Sequence, residues 1–278
     1  MTVPRKIWFL WFQGFSEAPL VVKKCYESWV KLNPEWEVIF LDQNNLTDYI
    51  DPVLPDKKLN QLSKNHQSDI YRLQLLSKFG GVWADATTLC RVPLNDWLYD
   101  YLDAGFFVFI HETRSYGWIS NWFIAAEKEH LIITKLERKF IAFFRDNSFC
   151  LNQQIQKERI KFLGLFLNRK FKTTRFWSSW LIVKLFKVYP YLIFHYMFAK
   201  LIGADQECLA IYKRMKNFYT TGDILGQYGL LKPLTDEIKQ RIDSQIDPVY
   251  KLSWKYNKNK YSNSSVLHYL LNQTDSIK

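Results

Sequence analysis

A single α/β fold, a mostly parallel sheet with helices on both faces, is predicted by three observations. Short continuous apolar runs alternate with helical-period stretches over the first 110 residues. A glycine pair, Gly80-Gly81, joins a helix directly to one of those runs. The 278 residues are 48% hydrophobic and 17% aromatic, ample for a packed core and too apolar for a disordered chain.

The elements follow in order. "KIWFLWF" (6–12) is an unbroken apolar run suited to a central strand. "APLVVKKCYESWVKLNP" (18–34) sets Val21, Val22, Cys25, Trp29 and Leu32 at helical spacing and stops at Pro34. "WEVIFLD" (36–42) is a second strand, ending on Asp42. Residues 68–79 read as a helix with Ser68 as N-cap and Gly80 just past its end, leading into the strand "VWADA". "GFFVFIHE" (105–112) is another strand. Parallel sheets bind ligands beyond the carboxyl ends of their strands. That directs attention to Trp11–Gly14, Asp42–Asn45 and Asp85–Thr88.

Charge narrows the partners. With 38 Lys+Arg against 27 Asp+Glu, the formal +11 favours an anionic ligand or surface. No recognition-helix, RRM-like or zinc pattern accompanies it, so nucleic acid is not an expected partner. Cys25, Cys90, Cys150 and Cys208 lie far apart without metal-ligand or disulfide spacing, which reads as reduced thiols in a cytoplasmic protein. "IWFLWF" is too short and wrongly flanked for a signal peptide and reads better as a buried strand.

The second half changes texture. Residues 134–172 are rich in Lys, Arg and Phe, and the aromatic-rich stretch 176–202 carries Lys184, Lys187 and Lys200. Lys184, Lys187 and Pro190 interrupt it too early for a transmembrane helix. Two readings stand side by side: helices lying in a membrane interface with lysines toward lipid phosphates, or a helical lid packed on the sheet. The organisation expected is a core over 1–130 and a helical, acceptor- or membrane-facing region with a closing segment over 131–278, forming one continuous domain.

The stretch "SDIYRLQLLSKFGGVWADATT" (68–88) carries the chemistry. Asp69 and Arg72 share one helix face; an ordinary i,i+3 surface ion pair is the plain alternative, worth about 0.2–0.5 kcal/mol. The strand after the glycines ends on Asp85, and a buried carboxylate is costly without cations, metal or donors.

The pattern Ser68, Asp69, Arg72, Leu76, Gly80, Gly81, Trp83, Asp85 resembles the nucleotide-sugar site of GT-A glycosyltransferases, in particular the bacterial capsular polysaccharide synthesis protein family, related to glycosyltransferase family 32. The likeness extends through "KIWFLWFQG", "CYESWVKLNPEWEVIFLD" and "ISNWFIAAEKEH", and more loosely through "YPYLIFHYMF" and "PVYKLSWK". It implies a GT-A-like, Rossmann-type core and sugar transfer from a nucleotide-diphosphate donor, UDP-linked, with retention. The acceptor would be a saccharide or lipid-linked saccharide at the inner membrane face. By the same resemblance Trp11 stacks on the base, Asn44 contacts base or ribose, and Asp69 and Arg72 hold ribose, sugar hydroxyls or diphosphate. Asp85 becomes the first acid of a D-x-D-like motif, and Lys251, Trp254 and Lys255 belong to a segment closing over the diphosphate.

The chain departs from the motif at Thr87, which stands where a second acid would be. The implied Mn²⁺ or Mg²⁺ would then rest on Asp85 with Thr87 or Thr88, and His268 is a further candidate ligand, the alternative being a packed histidine. A lysine can stabilise a departing diphosphate in a metal's place. Asn121 is a candidate on the acceptor side, expected just after a strand end, and His195 a candidate for acceptor or lipid contact. Glu112 and Asp223 are possible acid partners of Asp85 in a hydrolase-like reading. The alternative to catalysis is a basic protein that grips an anionic membrane or polysaccharide.

Overall fold

The computed structural model describes residues 2–110, 119–169, 171–219 and 229–276. Its main sheet has five strands in the order β2-β1-β3-β6-β5. These are β1 (Lys6–Leu10), β2 (Glu37–Leu41), β3 (Gly81–Ala84), β5 (Phe106–Ile110) and β6 (Ile119–Ala126). β1 pairs in parallel with both β2 and β3, whereas β6 runs antiparallel to β3 and to β5. Four strands therefore share one direction and β6 alone is reversed. A second, two-stranded antiparallel ribbon joins β4 (Thr88–Cys90) to β7 (Val249–Lys251).

Among the helices that cover the sheet's two faces are α1 (Leu20–Leu32), α2 (Lys64–Phe79), α3 (Leu131–Arg145) and, after α4 (Gln153–Leu167), α5 (Ile193–Ala204). Strand alternation sorts the core. Trp8, Leu10 and Trp83 face one way, against Ile70, Leu73, Phe140 and Phe194 of the helices α2, α3 and α5. Ile7, Phe9, Val82 and Ala84 face the other, against Val22, Cys25 and Trp29 of α1, the β4-β7 ribbon, and Val266, Leu267 and Leu270 of α6 (Val266–Ser276). Residues from both halves of the chain thus contribute to the core on each face of the sheet. All four cysteines are free thiols.

The predicted helix over 68–79 begins one turn earlier, at Lys64. Ser63, not Ser68, is its N-cap and accepts from the His66 N–H. Asp69 and Arg72 consequently sit one turn inside the helix, where both are buried. Asn121 does not follow a strand end; it is the third residue of β6, and because β6 is reversed its start lies beside the carboxyl ends of the parallel strands. Glu112 and Asp223 lie outside the described residues.

The glycine pair is required by its surroundings. Gly80 (φ 69°) ends α2, and a Cβ on it would lie 2.6 Å from the Lys128 backbone nitrogen; Gly81 (φ 96°) would place one 2.6 Å from the Lys6 carbonyl oxygen. The helix can therefore turn into the sheet only by passing this close to β6 and β1. Gly81→Ala is expected to cost at least ~1–3 kcal/mol from the backbone conformation alone, more once β1 is displaced. Urea unfolding read by far-UV circular dichroism measures the loss.

Candidate active site

A cavity of about 640 Å³ opens at the carboxyl ends of β1 and β3. Its wall includes Trp11, Asp69, Arg72, Asp85, Thr87, Asn121, Lys251 and Trp254, so most of the residues singled out from sequence come together there. Asp85 is delivered by β3 and fixed when its N–H donates to the Trp122 carbonyl at 2.9 Å. Arg72 reaches it from α2. The pairing of Thr88 with Lys251 in the β4-β7 ribbon brings the third charge from the far end of the chain.

Every oxygen of the Asp85 carboxylate is engaged. Oδ1 accepts from Arg72 Nη2 at 2.7 Å and from Trp83 Nε1 at 2.8 Å, and Oδ2 accepts from Lys251 Nζ at 2.6 Å. Burial alone would raise its pKa, but Lys251 and Arg72, with the hydrogen bonds from Lys251 and Trp83, overcome that and hold it below the ordinary carboxylate value. Arg72 also donates from Nη1 to Asp69 Oδ1 at 2.7 Å, and its guanidinium lies between the Trp83 and Phe194 rings, 4.9 and 5.6 Å from their centroids. Asp69 Oδ1 accepts as well from Asn121 Nδ2 at 3.1 Å. Burial pushes the Asp69 carboxyl up to about 7, against the pull of Arg72 and Asn121. The plain reading of Asp69 and Arg72 as a surface ion pair therefore fails: their side chains are 9% and 4% exposed.

The aromatic groups frame this network. Trp11 and Trp254 meet edge to face at 5.4 Å, which ties the segment after β7 to the end of β1. Lys255 lies over the Trp254 ring. Two buried donors that line the site, Trp11 Nε1 and Arg72 Nε, find no acceptor among the described residues. Each has hydrogen-bonding capacity left for a ligand.

The residues present do not fit a divalent cation. Both Asp85 oxygens are occupied by donors, two of them cationic, and a metal would have to displace Lys251 or Arg72 while repelled by the other. The Thr88 hydroxyl is spent on the Asp85 carbonyl at 2.7 Å, which leaves Thr87, on the cavity wall, to offer a single neutral hydroxyl beside the acid. His268 does not line the cavity; its ring nitrogens meet Tyr261 and Asn272 at 2.8 and 2.7 Å on α6. Among the described residues no cluster of three or more His, Cys, Asp or Glu is placed to hold a metal.

Asn44 also falls outside the cavity wall. It is exposed in the turn after β2, where Asp42 Oδ1 accepts the N–H groups of Asn44 and Asn45. The acid at the end of β2 thus organises a turn. Sequence reasoning missed Lys64, Asn65, Trp122 and Tyr191 on the wall, together with Phe194 against Arg72. His195 lines the cavity, which favours the site over the lipid interface for that residue.

The sequence profile of the family described as "Capsular polysaccharide synthesis protein" matches residues 2–163, more than half of the chain. The chain belongs to that family. It is 30% identical over 149 residues to the glycosyltransferase afumC of Aspergillus fumigatus (strain CBS 144.89 / FGSC A1163 / CEA10), covering 46% of this chain and 38% of the relative. It is 26% identical over 155 residues to the O-glycosyltransferase braB of Annulohypoxylon truncatum, covering 49% and 36%. An uncharacterized glycosyltransferase of Acanthamoeba polyphaga mimivirus matches at 24% identity over 117 residues, 41% of this chain and 45% of that one. The chain spans less than half the length of each of these relatives. Among solved structures, the PaToxG glycosyltransferase covers 88% of the chain and 86% of its own at 14% identity and a TM-score of 0.37.

Proposed function

We propose that the chain is a glycosyltransferase of the GT-A type that moves a sugar from a nucleotide-diphosphate donor, UDP-linked, onto a saccharide or lipid-linked saccharide in surface polysaccharide synthesis. The observation that carries this reading is the convergence of Arg72, Asp85 and Lys251 in one cavity beside two tryptophans. A nucleotide base finds indole surface and the free Trp11 N–H, and the diphosphate finds Arg72 and Lys251. Asp69 Oδ2 makes no hydrogen bond to the described residues and can accept from a hydroxyl of the sugar.

In the transfer step the acceptor hydroxyl oxygen bonds to the anomeric carbon. The bond from that carbon to the diphosphate oxygen breaks, its electron pair leaving on the diphosphate, and the hydroxyl proton passes to the departing diphosphate. Attack on the face the diphosphate leaves gives retention. Lys251 and Arg72 supply the positive charge that the growing negative charge needs, in a partly buried site where such charge counts for more than in water. Asp85 holds both cations in place.

Donor hydrolysis across UDP-, GDP- and dTDP-sugars, with and without EDTA, tests the reading. Hydrolysis of a UDP-sugar that persists in EDTA is expected. No binding or hydrolysis of any of these nucleotides would favour the non-catalytic alternative.

A peripheral position at the inner face of the cell membrane belongs to the same proposal. Between residues 153 and 200 the sequence has ten Lys or Arg and a single acid, Glu158. On this part of the surface Phe162, Leu165, Phe166, Trp180 and Leu185 are exposed, Trp180 to 74%. Apolar side chains rimmed by bases suit an anionic bilayer surface. Among the described residues no helix is long and apolar enough to cross a membrane. Co-sedimentation with phosphatidylglycerol vesicles but not phosphatidylcholine vesicles is expected, reduced at least fivefold in Trp180→Ser/Leu185→Ser.

A further inference from the structure

A second cavity, of about 540 Å³, adjoins the first, and Asn65 and Tyr191 line both. It is walled by the start of α2 and the turn before it, by the end of α3, and by the start of α4. We infer that this cavity is the acceptor subsite and that its ligand is an uncharged saccharide chain. The inference rests on the glycosyltransferase reading of the first cavity.

The chemistry of the wall selects the ligand. No Asp or Glu lines it. Of its two lysines, Lys58 is spent on the Phe144, Arg145 and Asn147 carbonyls at the end of α3, which leaves Lys157 at the exposed rim. The polar lining is instead dominated by amides. Those of Asn60, Gln61, Asn65 and Gln153 are exposed and make no hydrogen bond to the described residues. An amide offers both donors and acceptors, as a ring of sugar hydroxyls demands and as a charged group cannot.

The floor is aromatic. Tyr189 packs against Phe149 at 4.6 Å and Phe144 at 5.1 Å, with His66 at 5.0 Å, and burial lowers the His66 pKa to about 4, so that ring is neutral. Apolar ring surface beneath a polar rim matches the two sides of a pyranose, whose C–H face packs on an aromatic ring while its hydroxyls bond outward. Tyr191, 67% exposed, stands where the cavities meet and offers a platform for the sugar nearest the transfer. An acceptor lying along this groove would present its terminal hydroxyl to the first cavity and run its remaining units toward α4. That helix carries the exposed apolar and basic face, so a lipid-linked chain could stay in its membrane.

The test separates the two cavities. Purified wild type is assayed for UDP-sugar hydrolysis and for transfer to a panel of p-nitrophenyl mono- and disaccharides of glucose, galactose, mannose and N-acetylglucosamine. For Asn60→Ala/Gln153→Ala the acceptor KM is expected to rise at least tenfold while the donor KM stays within twofold. Ser148→Trp, which fills the cavity from an exposed position, is expected to lose transfer and keep donor affinity, with an unchanged circular dichroism spectrum excluding misfolding. Unaltered acceptor KM in both variants would overturn the inference, as would a wild type that hydrolyses donor yet transfers to no sugar in the panel. A wild type that neither binds nor hydrolyses donor would overturn the glycosyltransferase reading and this inference with it.

Discussion

Replacing Lys251 by alanine is expected to slow sugar transfer by about 10²–10³-fold, the usual consequence of deleting one donor aimed at developing negative charge. Donor affinity should fall less, because Arg72 and the tryptophans remain. Lys251 is only partly buried and its backbone pairing with Thr88 does not need the side chain, so the fold should survive. A second effect follows from the Asp85 geometry. Removing the ammonium frees Oδ2, which then presents an unpaired carboxylate oxygen beside the diphosphate position, and hard divalent cations take such oxygens. The variant should therefore respond to Mn²⁺ more than the wild type does, with Arg72 on Oδ1 still opposing the cation. Steady-state kinetics of both proteins in EDTA and in Mn²⁺ read this directly. Wild-type transfer that dies in EDTA and returns with Mn²⁺ would refute the assignment of Lys251.

The turn Asp85–Thr88 is closed by the Thr88 N–H and hydroxyl, both donating to the Asp85 carbonyl, and the Thr87 backbone carbonyl accepts the Leu252 N–H. The same bond holds the segment carrying Lys251 against the strand end. The family match ends at residue 163, so Trp11, Asp69, Arg72 and Asp85 lie within it while Lys251, Tyr191 and His195 lie beyond.

Legibility in the sequence follows the range of the interactions. β1, β2, β3 and β5 were readable because buried strands are short continuous apolar runs, and α1 because its apolar positions recur at helical spacing. An apolar run carries no direction, so the reversal of β6, which turns Asn121 into the cavity, was not readable. The start of α2 was misplaced because Ser63 and Ser68 are both competent caps, and only tertiary packing chooses between them. Asp69, Arg72 and Asp85 were legible as a set through one short stretch. That Lys251 closes on Asp85 depends on a ribbon whose strands lie 163 positions apart at Thr88 and Lys251, and no local signal announces it. His268 carried a local clue: Asn272, four residues on along a helix, is a natural hydrogen-bond partner, and it is one of the two found, with Tyr261.

Arg72→Ala should be the most damaging single change to stability. Its side chain is 4% exposed and serves two carboxylates at 2.7 Å each, and removing one partner from such a buried network costs about 3–5 kcal/mol. The loss should also depend on pH, with a sign set by Asp69. In the native protein that carboxyl titrates near 7, above its unfolded value of 3.8. Between these values the folded state holds a proton that the unfolded chain has released, so this group makes stability fall as pH rises through that window. Without Arg72 the native pKa of Asp69 moves higher still and the unfavourable window extends above pH 7. Asp85, held low in part by Lys251, stays ionised across the whole range and adds little slope. The destabilisation of Arg72→Ala should thus be larger at pH 8 than at pH 5, and Asp69→Asn in the same background should remove most of the difference. Arg72→Lys should recover little at either pH, because a single ammonium cannot bridge two carboxylates in the geometry that the guanidinium fork spans between Trp83 and Phe194. Urea denaturation of the four proteins at both pH values decides the matter: equal losses at pH 5 and pH 8 would show that Asp69 is already ionised throughout and that its burial is compensated by something other than Arg72.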